Sequence, residues 1–430
     1  MNRKSTLLII FILLPVFLSA QATKQELKII KAIDNRTAAA TALLKTAVNI
    51  NSGTMNFSGV RKVGELFMAE LRTLGFETRW SPGDQFHRAG HLIAVHKGKG
   101  KKLLLIGHLD TVFDRDSKFQ TWNMLNDSIM QGPGVFDMKG GDVIIILAMQ
   151  ALHDAGLLDD LSIEIIMTGD EEESGDPITL SKKDIMEAAE HADIALGFED
   201  GDGIANHALI SRRGSSDWTL TVKGTAAHSS QVFTDAVGNG AIFEAARILN
   251  LFYQSLSKEE NLTFNPGLIA GGGQVLFNDT TNSATASGKN NIVASDVIVT
   301  GDLRAFSLDQ LKRTRQIMSD IVRQNDAHTS ATIDFGDDGY PPMTLTEGNK
   351  KLLDEYSRVS MDLGFGEVTA VPPRKAGAAD ISFACDEVEM SLDGLGIAGA
   401  GGHTVQETAN LHYLSIDAKR AAVLIARLGK

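Results

Sequence analysis

The chain has one cysteine in 430 residues, so no internal disulfide can staple it, and stability must come from packed cores, bound metal or association. Cys385 reads most simply as a small buried hydrophobe. Basic residues are also short, 41 against 54 acidic, for a net charge of −13. That deficit argues against nucleic acid or an anionic membrane surface as partner. Internal repeats and long linkers are absent. The run from Leu7 to Leu18 is too short for a membrane span.

That run follows Arg3 and Lys4 and precedes Ser19, Ala20 and Ala22, the pattern of a cleavable secretory signal over residues 1–22. Cleavage after Ala20 and after Ala22 fit equally, and loss of Arg3 and Lys4 would take the net charge from −13 to −15. No cysteine lies near the cleavage site, so the expectation is a secreted or periplasmic protein without a membrane anchor. A hydrophobic content of 43% with 22% charged residues suits a globular protein with a sizeable core. The length points to two domains.

The chemistry centres on residues 103–113. The apolar run Leu103 to Ile106 stops at Gly107, and His108 and Asp110 follow two apart. A short run apolar on both faces reads as a buried strand of a parallel sheet. In open α/β sheets, catalytic groups sit beyond the carboxyl ends of the strands. At strand spacing Asp110 could hold the second ring nitrogen of His108. Alone, the stretch reads equally as a core histidine with a capping aspartate.

Strand, loop and helix alternate on either side, which argues for a doubly wound α/β sheet. Near Arg213 the pattern changes to half-exposed strands with two helices, an α+β module expected over 214–330. The α/β pattern then resumes over 331–430. The small domain therefore reads as inserted between two parts of a catalytic domain, 23–213 and 331–430. One helical layer leaves part of its sheet free to pair with another subunit.

His108, Asp137, the run Asp170-Glu171-Glu172-Glu173, Glu199 and the loop residue His403 all carry metal-ligand side chains. Each is weak evidence alone. Carboxylates converging at one sheet edge repel one another, and a pair of divalent cations would remove the conflict. Histidine with carboxylate suits zinc, and one bridging carboxylate suits two metals ~3.5–4 Å apart.

Gly107-His108-Leu109-Asp110-Thr111, Asp137-Met138-Lys139-Gly140-Gly141, Asp170-Glu171-Glu172, Phe198-Glu199 and the late His403 together resemble the zinc exopeptidases that include bacterial glutamate carboxypeptidase, aminoacylase, acetylornithine deacetylase and succinyl-diaminopimelate desuccinylase. The resemblance runs through nearly all of the expected mature chain. It implies that His108 and Glu199 bind one zinc, that Glu172 and His403 bind the other, and that Asp137 bridges them. Asp110 would orient His108, and Glu171 would be the general base. It also implies a cis peptide at Asp137–Met138. Three consecutive glutamates permit a slip of one, but placing Asp170 at the family's aspartate makes Glu171 the base.

In the inserted domain, Gly224-Thr225-Ala226-Ala227-His228-Ser229 resembles the segment that delivers a histidine to the substrate in a neighbouring subunit. Asn291 and Arg304 match the pair that holds the substrate's carboxylate. Read without the resemblance, Arg304 is a surface ion-pair residue on an alternating strand and Asn291 a turn residue. The expected protein is a dimeric, dinuclear-zinc amidohydrolase with an inserted lid and dimerisation domain. It would release a carboxyl-terminal amino acid from a peptide or N-acyl amino acid. An N-acyl amino-acid deacylase or dipeptidase is the runner-up. A zinc-dependent binding protein without turnover would show a missing base or ligand, and none is missing.

Overall fold

The computed structural model describes residues 22–279, 281–336 and 339–430, so the expected signal segment lies outside the described residues, Ala22 excepted. Helix α1 (Lys24–Val48) opens with a capping box in which Thr23 and Glu26 satisfy each other's backbone N–H. Then come α2 (Phe57–Thr73), β1 (Glu77–Pro82), β2 (Gly90–His96), β3 (Lys99–His108), α3 (Lys139–Asp154), β4 (Leu161–Thr168), α4 (Lys183–Ala189) and β5 (Ile194–Gly197). The inserted region holds β6 (Ser216–Gly224), α5 (Gly240–Leu256), β7 (Thr263–Gly272), β8 (Gln274–Asn278), β9 (Ser283–Ser287), β10 (Asp296–Arg304), α6 (Leu308–Arg323) and β11 (Thr329–Phe335). The chain returns through α7 (Glu347–Asp362), β12 (Met390–Leu392) and α8 (His412–Leu428).

The large sheet runs β1-β2-β4-β3-β5-β12. Strands β3, β4, β5 and β12 are parallel, and β2 runs antiparallel to β4. It is thus a mixed sheet, and successive residues of β3 go to opposite layers of core. Leu103 and Leu105 pack with α1, α2, α3 and α8. Leu104 and Ile106 pack with Ile185 and Ala188 of α4 and with Cys385. The single cysteine is buried, and no helix of the described residues is long and apolar enough to cross a membrane.

The second sheet, β7-β10-β6-β11, is antiparallel throughout. Its buried face, with Trp218, Leu220, Val297 and Val299, packs on Ile248 and Phe252 of α5 and Met318 of α6. Strand β11 reaches Phe335, past the expected boundary at 330, because it pairs with β6 through Phe335↔Trp218. The polar segment before Asn291 contains the β8–β9 hairpin. Two crossovers join the domains side by side: Arg212 N–H donates to Met343 O at 3.0 Å and Ser215 N–H to Tyr340 O at 2.9 Å.

Candidate metal centre

Each ligand candidate is delivered by a strand end or by the loop beyond it. His108 is the last residue of β3, and Leu109 N–H donates to Thr168 O at 2.7 Å. Asp137 lies one residue before Met138, the N-cap of α3, and its peptide to Met138 is cis, as the resemblance implied. A Cβ on Gly141 would lie 2.0 Å from Phe198 O, so glycine lets the start of α3 approach the end of β5. Glu407 holds the Asp137 loop from beneath, accepting from the N–H groups of Gly134, Phe136 and Asp137 at 3.0, 2.9 and 3.1 Å. Burial pushes its carboxyl up to about 7.

The two carboxylate oxygens of Asp137 face different histidines. His108 Nε2 is 3.1 Å from Asp137 Oδ1 and 3.0 Å from Glu199 Oε1. His403 Nε2 is 2.9 Å from Asp137 Oδ2 and 3.0 Å from Glu172 Oε2. Two groups therefore have ligand atoms close enough to hold an ion, His108–Asp137–Glu199 and Asp137–Glu172–His403, with Asp137 common to both. Glu173 turns away to an exposed ion pair with Arg88 at 3.0 Å.

The electrostatics show why cations fit this donor set. Burial and the charge of Asp137 push Glu172 up to about 8. Burial, with Glu199 and Asp380 nearby, holds Glu171 well above the carboxylate range. Hydrogen bonds to Asp137 and Glu172 raise His403 to about 11. Buried carboxylates that crowd one another in this way need positive charge among them, and divalent cations with histidine and carboxylate ligands supply it.

Asp110 is fully buried. His108 Nδ1 lies 3.1 Å from its backbone oxygen and 3.4 Å from its Oδ1. The carboxylate does more than the sequence suggested: it accepts from Glu171 N–H at 3.1 Å, from Glu172 N–H at 3.2 Å and from Thr54 Oγ1 at 2.7 Å. Glu171 lines a cleft of about 300 Å³ with Asp137, Glu199, Asp200, Arg212 and His403.

The residues of the inserted domain divide. His228 is exposed and bridges to Ile292, and Ser229 N–H donates to Asn291 O at 2.8 Å. Both lie beyond the end of the sheet where Lys223 pairs with Asp296. Arg304 ends β10 at the crossovers, its Nε 3.1 Å from each carboxylate oxygen of Asp302. At ~3.3 Å per residue, β10 separates the two ends by roughly 25 Å. One chain therefore does not bring Asn291 and Arg304 together, because an extended strand lies between them.

Sequence reading missed two sets of partners. Arg212 is buried in the cleft wall, with Nε 2.7 Å from Asp393 and Nη1 3.1 Å from Gly377 O. Lys182 and Asp380 form a buried ion pair at 2.9 Å, and Tyr340 joins them. Adjacent arginines at a domain boundary are the one local signal; the others meet only through the fold.

Histidine and carboxylate side chains gathered at the strand ends of such a sheet define a candidate metal centre. The chain belongs to peptidase family M20/M25/M40, whose pattern matches residues 104–427. It is therefore a metallo-exopeptidase or amidohydrolase of that family. Carboxypeptidase G2 of Pseudomonas sp. (strain RS-16) is 25% identical over 413 residues, spanning 95% of this chain and 93% of that protein. Aminopeptidase PepT from Bacillus cereus ATCC 10987 shares the fold at a TM-score of 0.71 and 16% identity, over 92% of this chain and 99% of that one. So does the Bacillus subtilis YXEP protein, described as a dinuclear metal binding peptidase, at a TM-score of 0.62 and 14% identity, over 92% and 99%.

Proposed function

We propose that this protein is a dinuclear zinc exopeptidase that hydrolyses an amide bond to release a carboxyl-terminal amino acid from a peptide or N-acyl amino acid. The observation that carries the reading is the sharing of Asp137 between two ligand groups. His108 and Glu199 would hold one cation and Glu172 and His403 the other. Bound there, divalent cations polarise the scissile carbonyl and acidify water. Glu171 faces the same cleft without belonging to either ligand group, which leaves its carboxylate free to take a proton from water and return it to the leaving amine. Asp110 fixes both the ring of His108 and the backbone of Glu171.

Arg304 offers a guanidinium suited to a free carboxylate. His228 and Asn291 lie beyond the far end of the inserted sheet, away from Arg304, and that separation supports a role toward a second copy of the chain. Exposed Phe233 and Phe243, with ring centroids 5.4 Å apart, and exposed Ile242 lie on the same domain, and an apolar surface of that kind favours pairing. We place the mature protein outside the cytoplasm, on the strength of the amino-terminal signal pattern.

The test joins metal analysis with a substrate panel. Purified protein is expected to hold close to two divalent metals per chain and to lose activity with a chelator. Substrates whose terminal carboxylate is amidated are expected to react far more slowly, and Arg304→Ala to raise KM. Full activity in verified metal-free protein would end the reading; equal rates on free and amidated substrates would remove Arg304 from the site.

A further inference from the structure

We infer that Tyr340 is a positioning residue for the hydrolysis, fixing the backbone of Glu171 from the crossover that returns out of the lid. The inference rests on the reading of Glu171 as the base. The Glu171 backbone is held from both sides. Its N–H donates to Asp110 Oδ1 at 3.1 Å, and its carbonyl accepts from Tyr340 Oη at 3.0 Å. Asp110 belongs to the loop after β3, within the catalytic sheet. Tyr340 belongs to the crossover, where its own carbonyl accepts from Ser215 N–H at 2.9 Å.

The hydroxyl is itself tightly placed. It lies 2.9 Å from Ser174 Oγ and 3.2 Å from Asp380 Oδ1. Asp380 is anchored by Lys182 Nζ at 2.9 Å and by Thr168 Oγ1 at 2.5 Å. Lys182 reaches on to Asp170 Oδ1 at 3.0 Å, the residue before the base. A phenol has one proton and accepting lone pairs. Ser174 can therefore donate to it while its proton is shared between the Glu171 carbonyl at 3.0 Å and Asp380 Oδ1 at 3.2 Å, the carbonyl being the nearer. The ring packs edge-on against Phe383 with centroids 5.1 Å apart, so replacement by phenylalanine keeps the packing and removes only the polar contacts.

A base works only within hydrogen-bond reach of its proton, and a 1 Å misplacement can cost ~10²-fold. Loss of one backbone anchor moves Glu171 by less, so Tyr340→Phe is expected to lower kcat about tenfold with KM within about twofold. Metal content should be unchanged. A double-mutant cycle separates positioning from a general structural role. In the Glu171→Gln background, adding Tyr340→Phe is expected to change the residual rate less than about twofold, because the position of a lost base no longer matters. An unchanged kcat in the single variant, or the same loss in both backgrounds, would overturn the inference. Full activity in Glu171→Gln alone would instead refute Glu171 as base. Should Tyr340→Phe fail to fold, Ser174→Ala runs the same cycle through the hydroxyl's other partner, with the same expected and overturning outcomes.

Discussion

The three consecutive glutamates give a decisive test, because the structure assigns them three different surroundings. Glu171 lines the cleft and belongs to neither ligand group. Glu172 Oε2 lies 3.0 Å from His403 Nε2 within the second group. Glu173 is 61% exposed and pairs with Arg88. Glutamine keeps the shape of each side chain and removes its charge and basicity. For Glu171→Gln, loss of a positioned proton carrier is expected to lower kcat ~10²–10⁴-fold, or ~2.7–5.4 kcal/mol of barrier, with metal content unchanged. Glu172→Gln removes one of the three candidate ligands of the second group, so dialysed protein should hold less metal and regain activity when metal is added in excess. Glu173→Gln breaks only an exposed ion pair worth ~0–1 kcal/mol, and should leave turnover within about twofold. The assay is steady-state kcat with metal content measured on the same samples. If Glu171→Gln loses metal while Glu172→Gln keeps it and loses turnover, the roles are reversed. If Glu173→Gln abolishes turnover, the run is read one residue out of place.

Two further outcomes are expected. His228→Ala should lower turnover ~10²–10³-fold with metal retained if its imidazole stabilises the oxyanion. If the protein pairs as proposed, mixing it with Glu171→Gln chains should restore part of the activity once subunits exchange, because one site of a hybrid dimer would then hold both intact residues; confirmed exchange without recovery would place His228 outside a partner's site. Lys182→Met should cost ~3–5 kcal/mol in chemical denaturation, since it strands Asp170 and Asp380 as buried, uncompensated carboxylates; a loss below ~1 kcal/mol would show that the pair contributes little.

What could be read before any coordinates were known follows from local rules. Buried parallel strands are short apolar runs, so Leu103–Ile106 and Ile163–Met167 announce themselves and expose the residues at their ends. His108 was legible in that way, and so was Glu199 after the Ile194–Phe198 run. Helix α1 was legible from its apolar spacing. His403 had no such signal: it sits at φ 63 in a glycine-rich loop, and only the resemblance to a known family gave it a role. The β8–β9 hairpin was invisible because neither strand has a buried residue and so neither carries a core face to read.

The sequence by itself marked candidate metal-binding side chains and a change of strand pattern near Arg213, because both depend on residue type and on patterns a few residues long. Tertiary structure alone decided which of them meet. Asp137 turns one oxygen to His108 and the other to His403, more than 260 positions further on. Tyr340 reaches Glu171 across 169 positions. Asn291 and Arg304, close in sequence, are held apart by the straight strand between them. Pairings of that kind are set by sheet order and by the crossovers, and nothing local in the chain encodes them.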